Sequence, residues 1–494
     1  MSEPQLPKSI DNIRHGAEPT TPTEAYLEKL CRKSFLSLWS YPRVFNDKKD
    51  NPKARHGKEI VDLMVVFADH VILFSDKSCE FPNSGDLKID WSRWKKKSID
   101  KSIDQLYGAE RWLRQFPDRA FIDPECSKKL PIQFPCPATA HFHRIAIANG
   151  AKARCIDALG GIGSLMIASD NAMELPFMAA QPVNSKGFVH ILDETSLDIL
   201  MHELDTITDF VQYLEKKEFL FKSVQHCCVA GEEELLGSYL RDVNQQGDHD
   251  FKIPANADAI SIDVGFWDSF LQSNARRSRI EADRCSYAWD KIIETFNYHA
   301  LTNTLFNQSL PGIQNHERIV RHLAAEPRTR RRVLMESLYD LLEKTPKGLR
   351  STRLFTNTEN KYPTYVFLLL PRKPELSRDE YRRMRQYLLS AYCTVAPLVD
   401  TNVGEIIGFA TETNDGNPER SEDLLYYDAR NMTDEDVDEA RTLQKDLELF
   451  MNVQCSESHA SEYPISDGYI GGSSLHEEKR RTRNRKKRAR RQMR

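Results

Sequence analysis

No stretch of this 494-residue chain approaches the run of about 18 consecutive apolar residues that a membrane-spanning helix requires. The N-terminal sequence MSEPQLPKSIDNIRHGAEPTTPTEAY also lacks the apolar core of a secretory signal peptide. Ten cysteines are present, but no two of them form a CxxC pair, which excludes a zinc ribbon and a dithiol redox motif. We therefore expect a cytoplasmic protein with reduced thiols and no membrane partner.

Negative charge dominates the body of the chain, and positive charge is concentrated in its tail. The whole chain has 69 Lys and Arg against 73 Asp and Glu, but its last sixteen residues hold eleven Lys and Arg and no acid. The remaining 58 basic residues therefore face 73 acidic ones, and the division indicates an acidic enzyme or scaffold with a basic arm. Such an arm binds nucleic acid by releasing counterions. Its predicted contacts are Arg480, Arg481, Arg483, Arg485, Lys486, Lys487, Arg488, Arg490 and Arg491. A ribosome or membrane surface, a nuclear import receptor and a purely solubilising role are the alternatives.

Composition and hydrophobic periodicity predict a mixed α/β protein in six segments. Residues 1–24, rich in Pro, Ser, Thr and charge, are predicted to be a flexible leader. The other segments are an α/β core at 25–125, an accessory α/β module at 126–250, a helical and then α/β module at 251–455, a linker at 456–478 and a disordered basic tail at 479–494.

The segment GKEIVDLMVVFADHVILFSDKS is predicted to contain a β-hairpin. We interpret residues 57–62 as a helix end or turn, followed by strands at about 63–67 and 71–74. A two-residue turn at Asp69 and His70 sets Asp62 opposite Lys77, whereas a three-residue loop at 68–70 sets Asp62 opposite Asp76. Either register collects carboxylates and a lysine at one end of the hairpin.

A long amphipathic helix is predicted after the hairpin, in DWSRWKKKSIDKSIDQLYGAERWLRQF. Its tryptophans and leucines recur at helical spacing and are predicted to face the core. Lys97, Lys101 and Gln105 recur at every fourth residue and form a polar stripe on the other side. We expect Lys97 and Lys101 to contact nucleic-acid phosphates.

Carboxylates beside a lysine suit phosphodiester hydrolysis, because hard oxygen ligands hold Mg²⁺ and the metal neutralises charge on the scissile phosphate. Glu59, Asp62 and Asp76 are the predicted ligands of Mg²⁺ or Mn²⁺. Lys77 is predicted to stabilise the attacking water or the phosphate, and Gln105 with Lys101 to orient them. The plain alternative is that the acids cap or solvate an element and that Ser-Asp-Lys closes an ordinary turn.

These residues resemble the PD-(D/E)XK nuclease superfamily, specifically its restriction-like, Mrr- and NERD-type branch, over about residues 25–120. The family pattern is a helix glutamate, an aspartate opening a strand, a hairpin, an acid-x-lysine on the second strand, and often a glutamine on the following helix. The matching positions would be Glu59, Asp62, Lys77 and Gln105. The resemblance implies a restriction-endonuclease-like core and a Mg²⁺-dependent endonuclease that acts on DNA in preference to RNA, in a restriction or defence role. The other modules would then select substrate or mediate assembly with a second copy or a partner protein.

The sequence departs from the family pattern at Ser75. The family places its second carboxylate two residues before the lysine, but here Asp76 directly precedes Lys77 and in a regular strand points to the other face. Three interpretations remain open: a bulge re-aims Asp76, a backbone carbonyl completes the metal site, or the chain is a relative without hydrolysis. The last would make it a non-catalytic nucleic-acid-binding or regulatory scaffold.

A second, weaker pattern is His141 and His143, which alternate across Phe142 and so can both reach one metal ion from a strand. No acidic or cysteine partner lies at a diagnostic spacing, so a structural role is favoured.

Overall fold

The computed structural model describes residues 17–47, 56–169, 175–181, 186–244, 247–305, 312–356, 362–413, 420–457 and 460–464. The whole basic tail, with every nucleic-acid contact predicted in it, lies outside the described residues. The leader is described only from residue 17, and the linker only for 456–457 and 460–464.

The N-terminal part begins with one helix and three strands, continues with a long helical segment and ends on a fourth strand. Its elements are α1 (Pro22–Phe35), β1 (Ser40–Asn46), β2 (Lys58–Phe67), β3 (His70–Ser78), α2 (Leu87–Lys95), α3 (Lys101–Gln115) and β4 (His141–Asn149). A π-helical turn, Lys96–Asp100, joins α2 to α3. The single long helix predicted for this region is therefore confirmed, with one wider turn inside it.

Short strands and longer helices alternate in the middle of the chain. The middle elements are α4 (Lys152–Leu159), β5 (Met166–Ala168), β6 (Met178–Ala180), β7 (Val189–Leu192), α5 (Glu194–Glu203), α6 (Ile207–Ser223), β8 (His226–Val229), α7 (Glu232–Arg241) and β9 (Ala259–Ile262).

A helical stretch and a final α/β unit follow. Their elements are α8 (Phe266–Gln272), α9 (Asn274–Asp283), α10 (Tyr287–Leu301), α11 (Ile313–Ala324), α12 (Arg328–Lys344), β10 (Ser351–Phe355), β11 (Thr364–Leu370), α13 (Arg378–Val399), β12 (Glu405–Glu412), β13 (Asp423–Asp428) and α14 (Asp434–Asp446).

The described strands form three mixed sheets, which confirms the predicted mixed α/β class. The first has five strands in the order β1-β2-β3-β4-β7, with β2 antiparallel to both of its neighbours and β3, β4 and β7 mutually parallel. The others have four strands each, in the orders β6-β5-β8-β9 and β10-β11-β12-β13. The first sheet thus extends past residue 125 and takes β4 and β7 from the segment that follows. Among the described helices, none has the length and apolar character needed to cross a bilayer.

The hairpin of β2 and β3 differs from the prediction in its start and in its register. Residues 58–62 belong to β2 rather than to a helix or turn. Phe67 pairs with His70 and Leu63 with Phe74, so the turn consists of Ala68 and Asp69, with Ala68 at a φ of 53°. Continued by one residue, this register sets Asp62 opposite Ser75, and both predicted registers are wrong.

Helix α1 covers one face of the sheet at the hairpin and helix α3 covers the other, which explains the continuous apolar runs of β2 and β3. Six consecutive residues of β3, Val71 to Asp76, are buried, as expected of a strand covered on both faces. Helix α3 packs on β2 and β3 through Leu106 and Leu113, and Trp94 of α2 is completely buried. The core orientation predicted for this helix is confirmed.

Candidate functional site

Asp62 is the centre of a polar cluster at the end of the hairpin remote from its turn. Its side chain is 6% exposed, so its carboxylate is largely removed from water. Oδ2 accepts a hydrogen bond from the backbone N–H of Asp76 at 2.6 Å and lies 3.3 Å from Lys77 Nζ. On Oδ1, the carboxylate accepts a hydrogen bond from Gln105 Nε2 at 3.3 Å. A buried carboxylate requires such partners, and all three come from β3 and α3.

Ser75 links the strand to the helix instead of supplying a carboxylate. It is completely buried, and its Oγ donates a hydrogen bond to Gln105 Oε1 at 3.2 Å. Gln105 therefore receives a bond from β3 on one side of its amide and donates to Asp62 on the other. The predicted grouping of Asp62, Lys77 and Gln105 is present in the structure.

Asp76 points to the opposite face of the sheet from Lys77. Strand β3 pairs with β4 in unbroken register from His70 to Ser78, so the interpretation that a bulge re-aims Asp76 is wrong. Its Oδ1 accepts a hydrogen bond from Asn149 Nδ2 at 2.5 Å. Its Oδ2 is buried and has no hydrogen-bond partner among the described groups. The Thr23 hydroxyl interacts with the carboxylate and lowers its pKa, because it stabilises the charged form. Burial, with a smaller contribution from the charge of Asp62, raises the pKa of Asp76 from 3.8 to about 6.

Glu59 lies on strand β2, so the interpretation of residues 57–62 as a helix end or turn is wrong at this position. The error follows from reading 57–62 as helical, since the apolar run Ile60–Val61 hides the strand alternation. Arg43 Nε donates to Glu59 Oε2 at 2.9 Å across the β1/β2 pair. Burial raises the pKa of Glu59, and the nearby charges of Asp62 and Glu24 add to this while Arg43 opposes it.

Glu24, in the first turn of α1, is an acid of this region that the sequence interpretation missed. Its charge acts on both Glu59 and Asp76, so α1 delivers a helix glutamate to the same sheet end. Thr20 donates to Glu24 Oε2 from its backbone N–H and its hydroxyl, each at 2.8 Å. The signal available in the sequence was TTPTE, a helix start with Thr at the N-cap and Pro at the first position.

The carboxylates proposed as metal ligands do not converge on one ion position in this conformation. Glu59 and Asp76 lie on the α1 side of the sheet, whereas Asp62 lies on the α3 side, because successive side chains of a strand alternate. A different set of side chains does bring its ligand atoms together within the described part of the chain. It consists of His70, His143 and Glu215, whose ligand atoms all lie within 4.8 Å of one another. Lys97 and Lys101 are exposed on the π-helical turn and at the start of α3, and their contact with phosphates stays a prediction.

The imidazoles of that second set lie near the hairpin turn, at the other end of β3. His70 Nδ1 is 3.0 Å from His143 Nε2, and the two rings stack with their centroids 5.3 Å apart. His143 thus lies next to His70, and the His141 ring, whose centroid is 5.4 Å from that of His70, is tilted by 33° to it. The missing acidic partner is supplied by Glu215 of α6, far along the chain.

Comparison with known proteins gives no relative from which a function can be transferred. No protein-family model matches the chain, and neither the curated proteins nor the solved structures contain a match to it.

Proposed function

We propose that the chain is a metal-dependent nuclease that hydrolyses phosphodiester bonds, with its site at the Asp62 end of the β2/β3 hairpin. The observation that carries the proposal is the contact of one buried carboxylate with a lysine and a glutamine: Asp62 lies 3.3 Å from both Lys77 Nζ and Gln105 Nε2. The order of parts also agrees with the PD-(D/E)XK resemblance, in which an aspartate on one strand, a lysine on the next and a glutamine on the following helix act together.

The donor set of this region suits a hard divalent cation such as Mg²⁺ or Mn²⁺. On the α1 side of the sheet, Glu24, Glu59 and Asp76 offer only oxygen atoms, and one oxygen of Asp76 is buried with no hydrogen-bond partner in the described ranges. Bound there, a divalent cation would neutralise phosphate charge and lower the pKa of an attacking water. Asp62 lies on the α3 side, where its carboxylate contacts Lys77 and Gln105. In the proposed role, Asp62 holds the Lys77 ammonium toward the phosphate, and Gln105 fixes the orientation of the Asp62 carboxylate.

The direct test is cleavage of plasmid DNA, linear DNA and RNA by the full chain in Mg²⁺ or Mn²⁺. The double variant Asp62→Ala/Lys77→Ala is compared with Lys88→Ala, which removes an exposed lysine on α2. We expect metal-dependent cleavage by the wild-type chain and by Lys88→Ala, and none by the double variant. Cleavage that persists in the double variant would remove the site assignment.

A second candidate function, a non-catalytic nucleic-acid-binding scaffold, is favoured by one observation. Ser75 stands where the family has its second carboxylate, and its hydroxyl is already bonded to Gln105. Binding of DNA or RNA that weakens with salt, without any cleavage in either metal, is the result that selects this alternative.

The basic tail supplies a separate prediction for either function. Deletion of residues 479–494 removes eleven positive charges. Each phosphate that the tail no longer neutralises should reduce the slope of log K against log salt by about 0.9 on duplex DNA. We expect weaker binding and a flatter salt dependence, measured by fluorescence anisotropy from about 50 to 200 mM salt. Equal slopes for both chains would return the tail to a solubilising role.

A further inference from the structure

The parallel pairing of β3 with β4 assembles two histidines that are remote in sequence. His70 pairs with His141 and Ile72 with His143, so His70 and His143 lie on the same face of neighbouring strands. Glu215 of helix α6 lies close to both of them. The three ligand atoms, one from each side chain, all lie within 4.8 Å of one another.

Burial keeps both imidazoles in the form that binds metal ions. His143 is 4% exposed, and burial lowers its pKa to about 3. Burial also lowers the pKa of His70, against the opposing charges of Asp69 and Glu215. Neutral imidazole is the form in which histidine binds a metal ion.

The donor spacing is close to that of a tetrahedral ion. Zinc bonds imidazole nitrogen at about 2.0–2.1 Å, which places two donors of a tetrahedral site about 3.3 Å apart. His70 Nδ1 and His143 Nε2 are 3.0 Å apart, so a small separation of the rings accommodates an ion between them. The other nitrogen of His70, Nε2, is 3.5 Å from Asp69 Oδ1, the position that a carboxylate takes behind a metal-bound histidine.

A cavity lies beside this cluster and gives it access to solvent and small ligands. Its volume is about 1060 Å³, and His70, Asp69 and Glu215 form part of its wall. His143 is buried and is not part of this wall. Three protein ligands leave at least one coordination position of a four-coordinate ion for water or an anion from this cavity.

We propose that His70, His143 and Glu215 bind one Zn²⁺ ion with a position open toward the cavity. This site differs from the Asp62 region in chemistry and in place. Its two nitrogen donors suit a borderline transition metal, whereas the all-oxygen set suits Mg²⁺. His70 precedes Lys77 by seven residues of extended strand, about 23 Å at a rise of about 3.3 Å per residue. The zinc proposal therefore does not depend on nuclease activity.

The test is Zn²⁺ binding by the full chain, measured by competition with a chromogenic chelator under reducing conditions. Wild type is compared with Glu215→Gln, His143→Gln and the matched control His141→Gln, which changes an exposed histidine on the same strand. We expect one tightly bound Zn²⁺ in wild type and in His141→Gln. Glu215→Gln should weaken binding by at least about tenfold, and His143→Gln should remove it.

Co²⁺ provides a second readout that reports the ligands themselves. Visible d–d absorption of the Co²⁺-loaded chain should be present in wild type and His141→Gln and altered or lost in Glu215→Gln. Since Glu215 is exposed, this variant retains its fold even if the buried His143→Gln does not, and circular dichroism checks both. The proposal would be overturned if the wild-type chain bound no stoichiometric Zn²⁺ ion. It would also be overturned if Glu215→Gln left both the Zn²⁺ affinity and the Co²⁺ spectrum unchanged.

Discussion

The two ends of strand β3 differ in every property that decides which ion they can hold. At the Lys77 end, several acids lie near the ends of strands β2 and β3, but strand alternation divides them between the two faces of the sheet. At the His70 end, two neutral imidazoles and one carboxylate already lie within 4.8 Å of one another on a single face. The comparison shows that proximity in sequence does not determine which site is assembled. Glu59, Asp62 and Asp76 are close along the chain and divided in space, whereas His143 and Glu215 are distant along the chain and adjacent in space.

The largest effect that can test this comparison is a selective loss at one end. Asp62→Asn keeps the size of the side chain but removes the negative charge that faces Lys77. We expect Mg²⁺-dependent cleavage to fall by at least about 100-fold, since several kcal/mol of charge stabilisation depend on the carboxylate set. Zn²⁺ affinity should stay within about twofold, because Asp62 lies opposite Ser75, which is about 17 Å from His70 along the strand at a rise of about 3.3 Å per residue. Parallel measurements of cleavage rate and Zn²⁺ binding on one preparation check both statements. A loss of both properties in a folded variant would mean that the two ends form one coupled centre.

Local periodicity was enough to predict the elements around the site. The apolar runs of β2 and β3 and the helical spacing of the tryptophans indicated the hairpin and the long helix. The order of Asp62, Lys77 and Gln105 along these elements predicted their meeting. The register was not predictable, because the two-residue turn lies one residue earlier than expected, at Ala68 and Asp69. Ala68 there adopts a left-handed conformation, although no glycine marks the position.

Interactions between distant segments account for what the sequence interpretation missed. Glu24 reaches the site because α1 packs against the sheet, which no local pattern indicates. His70 meets His143 only because β4, some sixty residues later, pairs in parallel with β3. A parallel pair joined by such a long connection has no signature in short-range spacing.

A smaller effect concerns the protonation of Asp76. The pKa of Asp76 rises to about 6 on folding, from a usual 3.8, so the folded chain binds more protons than the unfolded chain between these values. Its contribution to the free energy of unfolding therefore falls as pH rises from about 4 through 6, by about 2 kcal/mol. Asp76→Asn removes this dependence, so its stability relative to wild type should increase over the same interval. Urea unfolding at pH 4.5, 5.5, 6.5 and 7.5, all approximate settings around these pKa values, measures the difference. A relative stability that does not change with pH would mean that Asp76 ionises normally.

The smallest expected effect concerns Ser75, which stands where the resembled family has its second carboxylate and which contacts Gln105. Ser75→Ala removes the hydroxyl that donates to Gln105 Oε1 and should lower the free energy of unfolding by about 1 kcal/mol. Because Gln105 also donates to Asp62, its release should lower the cleavage rate several-fold while Zn²⁺ binding is retained. The matched control Ser78→Ala removes an exposed hydroxyl at the end of the same strand. Urea denaturation and cleavage assays on both variants make the comparison. If Ser75→Ala matched Ser78→Ala in both assays, the contact of Ser75 with Gln105 would have no role in positioning the Asp62 carboxylate. The two ends of β3 would then differ only in the type of their candidate metal ligands.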